Sequence, residues 1–189
     1  MKIIWLLSAI ISLSCMTAFV GAYVTQVRAL AVLQGENQGL VTLAQLNLTR
    51  GNGGVRFVGN GTVNQSTLVS AQVAAEYAAA YTGLNEQNYN FNYTLFTNGS
   101  SASGPSGGLA FALLAVSALQ RRQLASNFAV TGTIAPDGTV GLIGGAYDKI
   151  LAAAAGGASY VLVPSAPDSS SEALLYYLSQ QRAEYLLSR

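Results

Sequence analysis

The stretch GPSGGLAFALLAVSAL, residues 104–119, joins a turn of small residues to a long apolar segment. Glycine and proline interrupt regular structure, whereas the segment after them has helical length and no polar face. The pattern therefore predicts a buried helix over residues 107–122. Ser106 lies where this helix begins, so it is either an ordinary helix cap or a nucleophile held at the positive end of a helix.

The overall composition favours one globular domain. The chain has 189 residues, enough for a sizeable core, and 51% of them are hydrophobic. Only 9% are charged, which is about a third of the usual share. The formal net charge of +1 provides no electrostatic footprint for nucleic acid, and we expect no nucleic-acid partner.

The start of the chain has the pattern of an export signal. Lys2 is followed by residues 3–27, an apolar stretch without a charge and long enough to span a bilayer. Residues 1–27 are therefore expected to be a signal peptide or an N-terminal membrane anchor, and residues 28–189 the folded domain. The small residues at 20–22 suit cleavage, but both alternatives stay open. A positive N-terminus stays in the cytoplasm, which predicts an extracellular or cell-surface domain.

Cysteine and histidine usage limits the chemistry further. Cys15 is the sole cysteine and lies within the apolar leader, so the domain has neither a disulfide nor a thiol nucleophile. Without histidine, a zinc or copper site is not expected, and no cofactor is predicted. Acceptor sites for N-glycosylation fit export, and their asparagines are Asn47, Asn60, Asn64, Asn92 and Asn98.

Hydrophobic periodicity and turn residues predict a single α+β domain with the order β-β-α-β-α-β-β-α-β-α. Ser66 is the expected N-cap of the first helix, and Pro136-Asp137-Gly138 is the expected turn of a hairpin. The predicted strands are at 40–48, 55–59, 89–97, 127–134, 139–144 and 159–164, and the predicted helices are at 66–81, 107–122, 144–157 and from 169 onward.

Few catalytic mechanisms remain for such a chain. Its acidic residues form no obvious pair for glycoside hydrolysis, and neither lysine lies in a Gly-Lys-Ser/Thr phosphate loop, so ATP hydrolysis is excluded. Lys149 is the one lysine after the leader, where seven arginines supply the other positive charges. A desolvated lysine can act as a base and arginine cannot, although Lys149 is equally well explained as a snorkelling surface residue.

Ser106 and Lys149 together suggest a Ser-Lys dyad, an alternative to the Ser-His-Asp triad. The start of the helix offers N–H groups and a dipole for an oxyanion, and the glycines let a substrate carbonyl approach the backbone. The lysine must be neutral to accept a proton. Its pKa must therefore fall from about 10.4 to about 7–8.

Two segments of the chain closely resemble the proteolytic domain of Lon proteases, family S16. They are residues 104–119 and residues 130–164, with the sequence VTGTIAPDGTVGLIGGAYDKILAAAAGGASYVLVP. The family pattern has a Gly-Pro-Ser-Ala-Gly turn, a Thr-Gly-Glu-Ile strand, an Ile-Gly-Gly-x-x-Glu-Lys segment and a closing Val-x-x-Pro strand. The spacing from Ser106 to Lys149 is also the family's spacing. The resemblance implies a Lon proteolytic-domain-like fold of the ribosomal protein S5 domain 2-like class.

The resemblance also implies roles for individual residues. Ser106 would be the nucleophile, with its own amide in the oxyanion hole, Lys149 would be the base, and Thr131 would orient the lysine. Family members form hexameric rings, which implies a homo-oligomer. Four departures from the family pattern remove a charge or change a small residue, namely Val69, Ser103, Gly107 and Thr133, and Asp148 stands in place of the usual glutamate.

The ATPase module of the family is absent from this sequence. We therefore expect an ATP-independent serine endopeptidase that hydrolyses flexible or misfolded exported polypeptides. The alternative is a non-catalytic Lon-like domain that binds peptides or serves as a scaffold.

Overall fold

The computed structural model describes residues 21–33, 38–58, 63–97 and 104–164, and it confirms the predicted α+β class. The described strands are β1 (Tyr23–Val32), β2 (Gly39–Arg50), β3 (Val55–Phe57), β4 (Tyr89–Phe96), β5 (Phe128–Val130), β6 (Thr133–Ile134), β7 (Val140–Gly141) and β8 (Tyr160–Leu162). The described helices are α1 (Gln65–Thr82), α2 (Gly108–Leu119) and α3 (Ala146–Ala155), with 3-10 turns at Glu86–Asn88 and Pro105–Gly107. The predicted helix from residue 169 onward lies outside the described residues.

Six strands form one mixed sheet in the order β3-β4-β2-β1-β5-β8. β1, β2 and β4 are antiparallel neighbours at its centre, with Ala29 opposite Thr42 and Ala44 opposite Leu95. The short strands β3, β5 and β8 extend the two edges in parallel pairings. β6 and β7 form a separate hairpin around the predicted turn.

The predicted boundary at residue 28 does not agree with the sheet. β1 begins at Tyr23 and pairs with both β2 and β5, so residues 23–27 belong to the folded domain. Thr25 and Val27 are buried in it. Residues 23–27 carry no charge, and the first charge after Lys2 is Arg28, so the absence of charge alone merged the start of the strand with the stretch before it. Residues 1–20 lie outside the description. Within the described ranges, no helix is both long and apolar enough to cross a membrane.

Strands β2 and β3 follow each other in the chain but are not neighbours in the sheet. The turn after β2 does not return the chain beside it, because β4 lies between β2 and β3. Instead, the turn wraps around the start of β4, where the Asn90 side chain accepts hydrogen bonds from the backbone N–H groups of Asn52 and Gly54, each over 3.1 Å. A side-chain amide thus replaces the ladder of a hairpin.

Helices α1 and α2 cover one face of the sheet and form the larger core. The buried face of α1 consists largely of alanines, and small side chains let this helix pack closely on α2. Tyr93, Phe111 and Phe57 fill the space between the helices and the sheet. The N-cap of α1 is Asn64 rather than the predicted Ser66, and its side chain accepts from the Thr67 N–H over 3.0 Å.

Helix α3 packs on the opposite face of the sheet. Its buried residues Ile150 and Ala153 contact a small core with Leu30, Ala129 and Val161. The Arg28 guanidinium donates to the carbonyl of Gly156, which lies at the C-terminal end of α3, over 3.2 Å. α3 is therefore attached to strands β1, β5 and β8, and it carries Lys149.

Candidate active site

Ser106 lies in the middle of the 3-10 turn Pro105–Gly107, immediately before α2. Gly104, which opens this turn, has φ +123° and ψ 168°, a conformation that essentially only glycine adopts. Gly107 is the N-cap of α2 and provides no side-chain cap. Ser106 is thus not the helix cap that composition allowed. Its side chain is oriented toward Lys149.

Lys149 is buried, with 2% of its surface exposed, and it precedes the buried Ile150 on α3. Its Nζ donates to the Oγ of Ser106 over 3.0 Å. The alternative of a surface lysine that snorkels into water is therefore wrong. The structure brings the two predicted dyad residues, 43 positions apart in the chain, within hydrogen-bond distance.

Thr131 is fully buried between β5 and β6, and it faces the same turn. Its hydroxyl donates to the carbonyl oxygen of Ser106 over 3.3 Å, and the N–H of Gly132 donates to that oxygen over 2.9 Å. The predicted strand 127–134 is split into β5 and β6 at these two residues. The predicted orientation of Lys149 by Thr131 stays a prediction, because the hydrogen bond described here goes to the backbone of Ser106.

The start of α2 lies directly after the turn that carries Ser106. In the first turn of α2 the Leu109 N–H already donates to the Gly132 carbonyl over 2.9 Å, and the helix dipole adds positive potential beside Ser106. The Gly108 N–H donates to Pro105 within the 3-10 turn. A methyl group at Gly108 would lie 2.9 Å from the Ile134 backbone nitrogen, so β6 packs directly against this turn. The part of the Ser106 amide in an oxyanion hole stays a prediction.

A small pocket of about 30 Å³ opens beside Ser106 on the α1/α2 face of the sheet. Its walls include small or short side chains from the end of β1 and the start of β2, together with the turn glycines. Examples are Ala29, Ala31, Thr42 and Gly107. The volume is close to that of one or two water molecules.

The sequence prediction missed residues that hold the turn from the side of α1. The Thr67 hydroxyl accepts from the Gly104 N–H over 2.9 Å, and the Ser70 hydroxyl donates to the Pro105 carbonyl over 3.3 Å. A signal was present, because these two hydroxyls interrupt the alanine face of α1. Their spacing places them on one side of the helix, but the sequence did not indicate what that side contacts.

Metal-based chemistry has no ligand set in the described ranges. No group of three or more histidine, cysteine, aspartate or glutamate side chains in the described residues is arranged to hold a metal ion. What the arrangement provides is a hydroxyl, an amine and a helix N-terminus in one place.

The same order of turn, hairpin and lysine helix occurs in a known family. A model of the Lon protease (S16) C-terminal proteolytic domain matches residues 22–180. The chain belongs to this family. The match begins immediately before β1, in agreement with the sheet and not with a domain boundary at residue 28.

Several curated Lon proteases are similar to this Lon proteolytic domain. It is 32% identical over 143 residues to Lon protease 2 of Herpetosiphon aurantiacus, covering 72% of this chain and 17% of that protein. It is 31% identical over 118 residues to the Lon protease of Buchnera aphidicola subsp. Schizaphis graminum, covering 60% of this chain and 15% of that protein. It is 44% identical over 61 residues to the Lon protease of Clostridioides difficile, covering 32% of this chain and 8% of that protein.

The chain therefore spans about a sixth or less of the length of these curated relatives. The similarity concerns their proteolytic part, and it does not carry over the activities of their other parts.

Proposed function

We propose that this Lon proteolytic domain is an ATP-independent serine endopeptidase with Ser106 as nucleophile and Lys149 as general base. The observation that supports the proposal most strongly is the 3.0 Å contact between Lys149 Nζ and Ser106 Oγ. Lys149 is buried beside the Ser106 hydroxyl, and burial disfavours the charged form of a lysine. A base that must be neutral requires that same burial.

The proposed reaction has two steps with the same proton carrier. Ser106 Oγ attacks the peptide carbonyl carbon while Lys149 Nζ takes its proton, and the resulting ammonium then protonates the leaving amine. This leaves an ester on Ser106. Water hydrolyses the ester with Lys149 acting as base again, which returns both side chains to their starting states.

The Ser106 N–H, together with the dipole of α2, would stabilise the tetrahedral oxyanion. Backbone N–H groups at a helix start are fixed before the reaction, so no reorganisation accompanies the appearance of negative charge. Removal of one such donor in serine proteases costs about 10²–10³ in rate. The glycines on either side of Ser106 leave this position open to a substrate backbone.

Flexible or misfolded exported polypeptides are the proposed substrates. The sequence contains no phosphate-loop lysine to couple ATP hydrolysis to unfolding, so only chains that are already extended would reach Ser106. The apolar stretch before β1 supports export or anchoring of the domain. A homo-oligomeric ring is part of the same proposal, and size-exclusion chromatography with light scattering would measure it.

The rival function is a non-catalytic domain that binds peptides. Such a domain has no use for a buried lysine directed at a serine hydroxyl, and this geometry favours the peptidase. Hydrolysis of unfolded casein by the purified chain separates the two. Ser106→Ala and Lys149→Arg should each abolish cleavage, because the first removes the nucleophile and the second keeps the charge without a basic nitrogen.

Two outcomes of this assay would contradict the proposal. One is full cleavage by Ser106→Ala, which would assign the activity to another group. The other is a clear requirement for ATP and magnesium, which would contradict the ATP-independent mechanism. The double variant should be no slower than either single variant, since the two residues act as a unit.

A further inference from the structure

We infer that Thr67 and Ser70 are positioning residues that hold the turn carrying Ser106 in its reactive orientation, an inference that rests on the proposed peptidase function. Both hydroxyls are buried in the first two turns of α1 and bond to the backbone of the turn before Ser106. Neither contacts the reacting atoms, so their effect must pass through the backbone.

Thr67 fixes the strained start of the turn. Its Oγ1 accepts from the Gly104 N–H over 2.9 Å and donates to the side chain of Asn64, the N-cap of α1, over 2.8 Å. The hydroxyl therefore links the helix cap to the glycine with φ +123°. A backbone in such a sparsely populated conformation persists only where its surroundings over-determine it, and this bond is one of those constraints.

Ser70 holds the next peptide unit, one turn further along the same helix. Its Oγ donates to the carbonyl of Pro105 over 3.3 Å, and the same carbonyl accepts from the Gly108 N–H. The carbonyl of Ser106 is held from the opposite side by Gly132 and Thr131. The nucleophile is thus clamped between α1 and the β5–β6 segment, and the Oγ follows the backbone.

The remainder of the buried α1 face is alanine, which packs against α2 without polar groups. A hydroxyl on such a face must find a partner, because an unpaired buried polar group is costly. Both hydroxyls find theirs on the turn before Ser106. Alanine at both positions would satisfy the packing, so the hydroxyls are best explained by their hydrogen bonds to the turn before Ser106.

The experiment replaces the hydroxyls with groups of nearly equal size in the purified full-length chain. Thr67→Val and Ser70→Ala should lower kcat on a fluorogenic peptide, by about 10- to 100-fold for Thr67→Val and about 3- to 10-fold for Ser70→Ala, with KM nearly unchanged. A displacement of about 1 Å at a reacting group costs up to about 10²-fold. Thr67→Ser keeps the hydroxyl and should restore most of kcat.

The controls are the same substitutions elsewhere in the two helices. Thr82→Val removes a hydroxyl that donates to Ala78 at the far end of α1, and Ser117→Ala removes a buried hydroxyl of α2 bonded to Thr25 and Arg122. Both should leave kcat within about twofold of wild type at matched thermal stability. Equal kcat losses in the controls and in Thr67→Val and Ser70→Ala would overturn the positioning role.

A second measurement does not depend on activity. Hydrogen exchange at the Gly104 N–H should accelerate in Thr67→Val and not in Thr82→Val, because only the first variant removes its acceptor. Unchanged exchange at Gly104 would overturn the inference even if kcat fell. If Ser106→Ala and Lys149→Arg kept full activity while Gly104 exchange rose as expected, the proposed function would fail and the clamp would stand.

Discussion

The two residues of the proposed dyad are held in place by different means. Ser106 lies on the side of the large core, in a turn whose backbone is bonded to α1 on one side and to Thr131 and Gly132 on the other. Lys149 lies on a ten-residue helix, α3, which packs on a small core on the opposite face of the sheet. Directed hydrogen bonds locate the nucleophile, whereas burial and packing locate the base.

This difference indicates which changes will affect stability and which will affect catalysis. The large core determines whether the domain folds at all, because it joins β1, β2, β4, α1 and α2. The small core determines where Lys149 lies relative to Ser106, because it attaches α3 to the sheet. Substitutions in the first should mainly change the unfolding free energy, and substitutions in the second should mainly change kcat.

The largest stability effect is expected in the large core. Leu46 is completely buried on β2 beneath the helices. Leu46→Ala should lower the unfolding free energy by about 2–5 kcal/mol through lost burial and the cavity left behind. The kcat per folded molecule should stay within about twofold of wild type, since Leu46 contacts neither dyad residue. Urea denaturation measures the unfolding free energy, and kinetics with active-site titration measure kcat per folded molecule. A kcat loss beyond tenfold would contradict the separate roles of the two cores.

A smaller stability effect with a larger catalytic effect is expected at Gly39. A methyl group there would lie 2.9 Å from the backbone nitrogen of Lys149 and closer still to the carbonyl of Asp148, so α3 must shift. Gly39→Ala should cost about 1–3 kcal/mol of stability. A shift of about 1 Å in Lys149 should lower kcat by up to about 10²-fold.

Gly144→Ala is the matched control, because a methyl group at Gly144 meets nothing within 4 Å. It should leave kcat close to wild type. If both alanine variants were equally active, the docking of α3 would not locate the base.

The small core offers a finer test. Ile150 follows Lys149 on α3 and is 5% exposed. Ile150→Val should lower the unfolding free energy by about 0.5–1.5 kcal/mol. The fractional loss of kcat should exceed that of Leu46→Ala, despite the smaller loss of stability. Parallel melting curves and peptide kinetics would check this ranking, and the reverse order would contradict the comparison.

The smallest expected effect concerns the turn between β6 and β7. The Thr139 N–H donates to the Asp137 carboxylate over 2.9 Å, and this backbone hydrogen bond lowers the pKa of Asp137. A lowered folded-state pKa stabilises the fold above the unfolded pKa, and the stabilisation is lost as pH falls through the folded value. Asp137→Asn should lower the melting temperature slightly at pH 7 and not at all near pH 2. A constant difference across this range would assign the effect to something other than charge.

The order of motifs was the most predictable part of the fold. The α2 segment, the β6–β7 turn and the lysine helix α3 follow from periodicity and turn chemistry, which act locally. The strand β1 did not follow, because its first five residues carry no charge and therefore read as a continuation of the apolar leader. The position of β4 between β2 and β3 is determined by tertiary packing, and no local sequence pattern predicts it.

The residues of the candidate site were likewise predictable only in part. Ser106 and Lys149 were found from residue usage and from family spacing, since each stands out by chemistry. Thr67 and Ser70 were not found, because a buried hydroxyl on a helix has many partners and only the fold identifies them. The split of the predicted strand 127–134 likewise arises from Gly132, whose N–H bonds to Ser106 rather than continuing a ladder.

The pH dependence of covalent labelling at Ser106 tests the dyad most directly. A fluorophosphonate probe reacts with the serine only when its proton is removed, so the labelling rate reports the base without requiring a substrate. In the wild-type chain the rate should rise with pH as Lys149 loses its proton, and Lys149→Arg should label at least about 10²-fold more slowly at every pH of the range in which the domain stays folded. Labelling of Lys149→Arg at the wild-type rate across this range would contradict the account, because the proton of Ser106 would then go to another group.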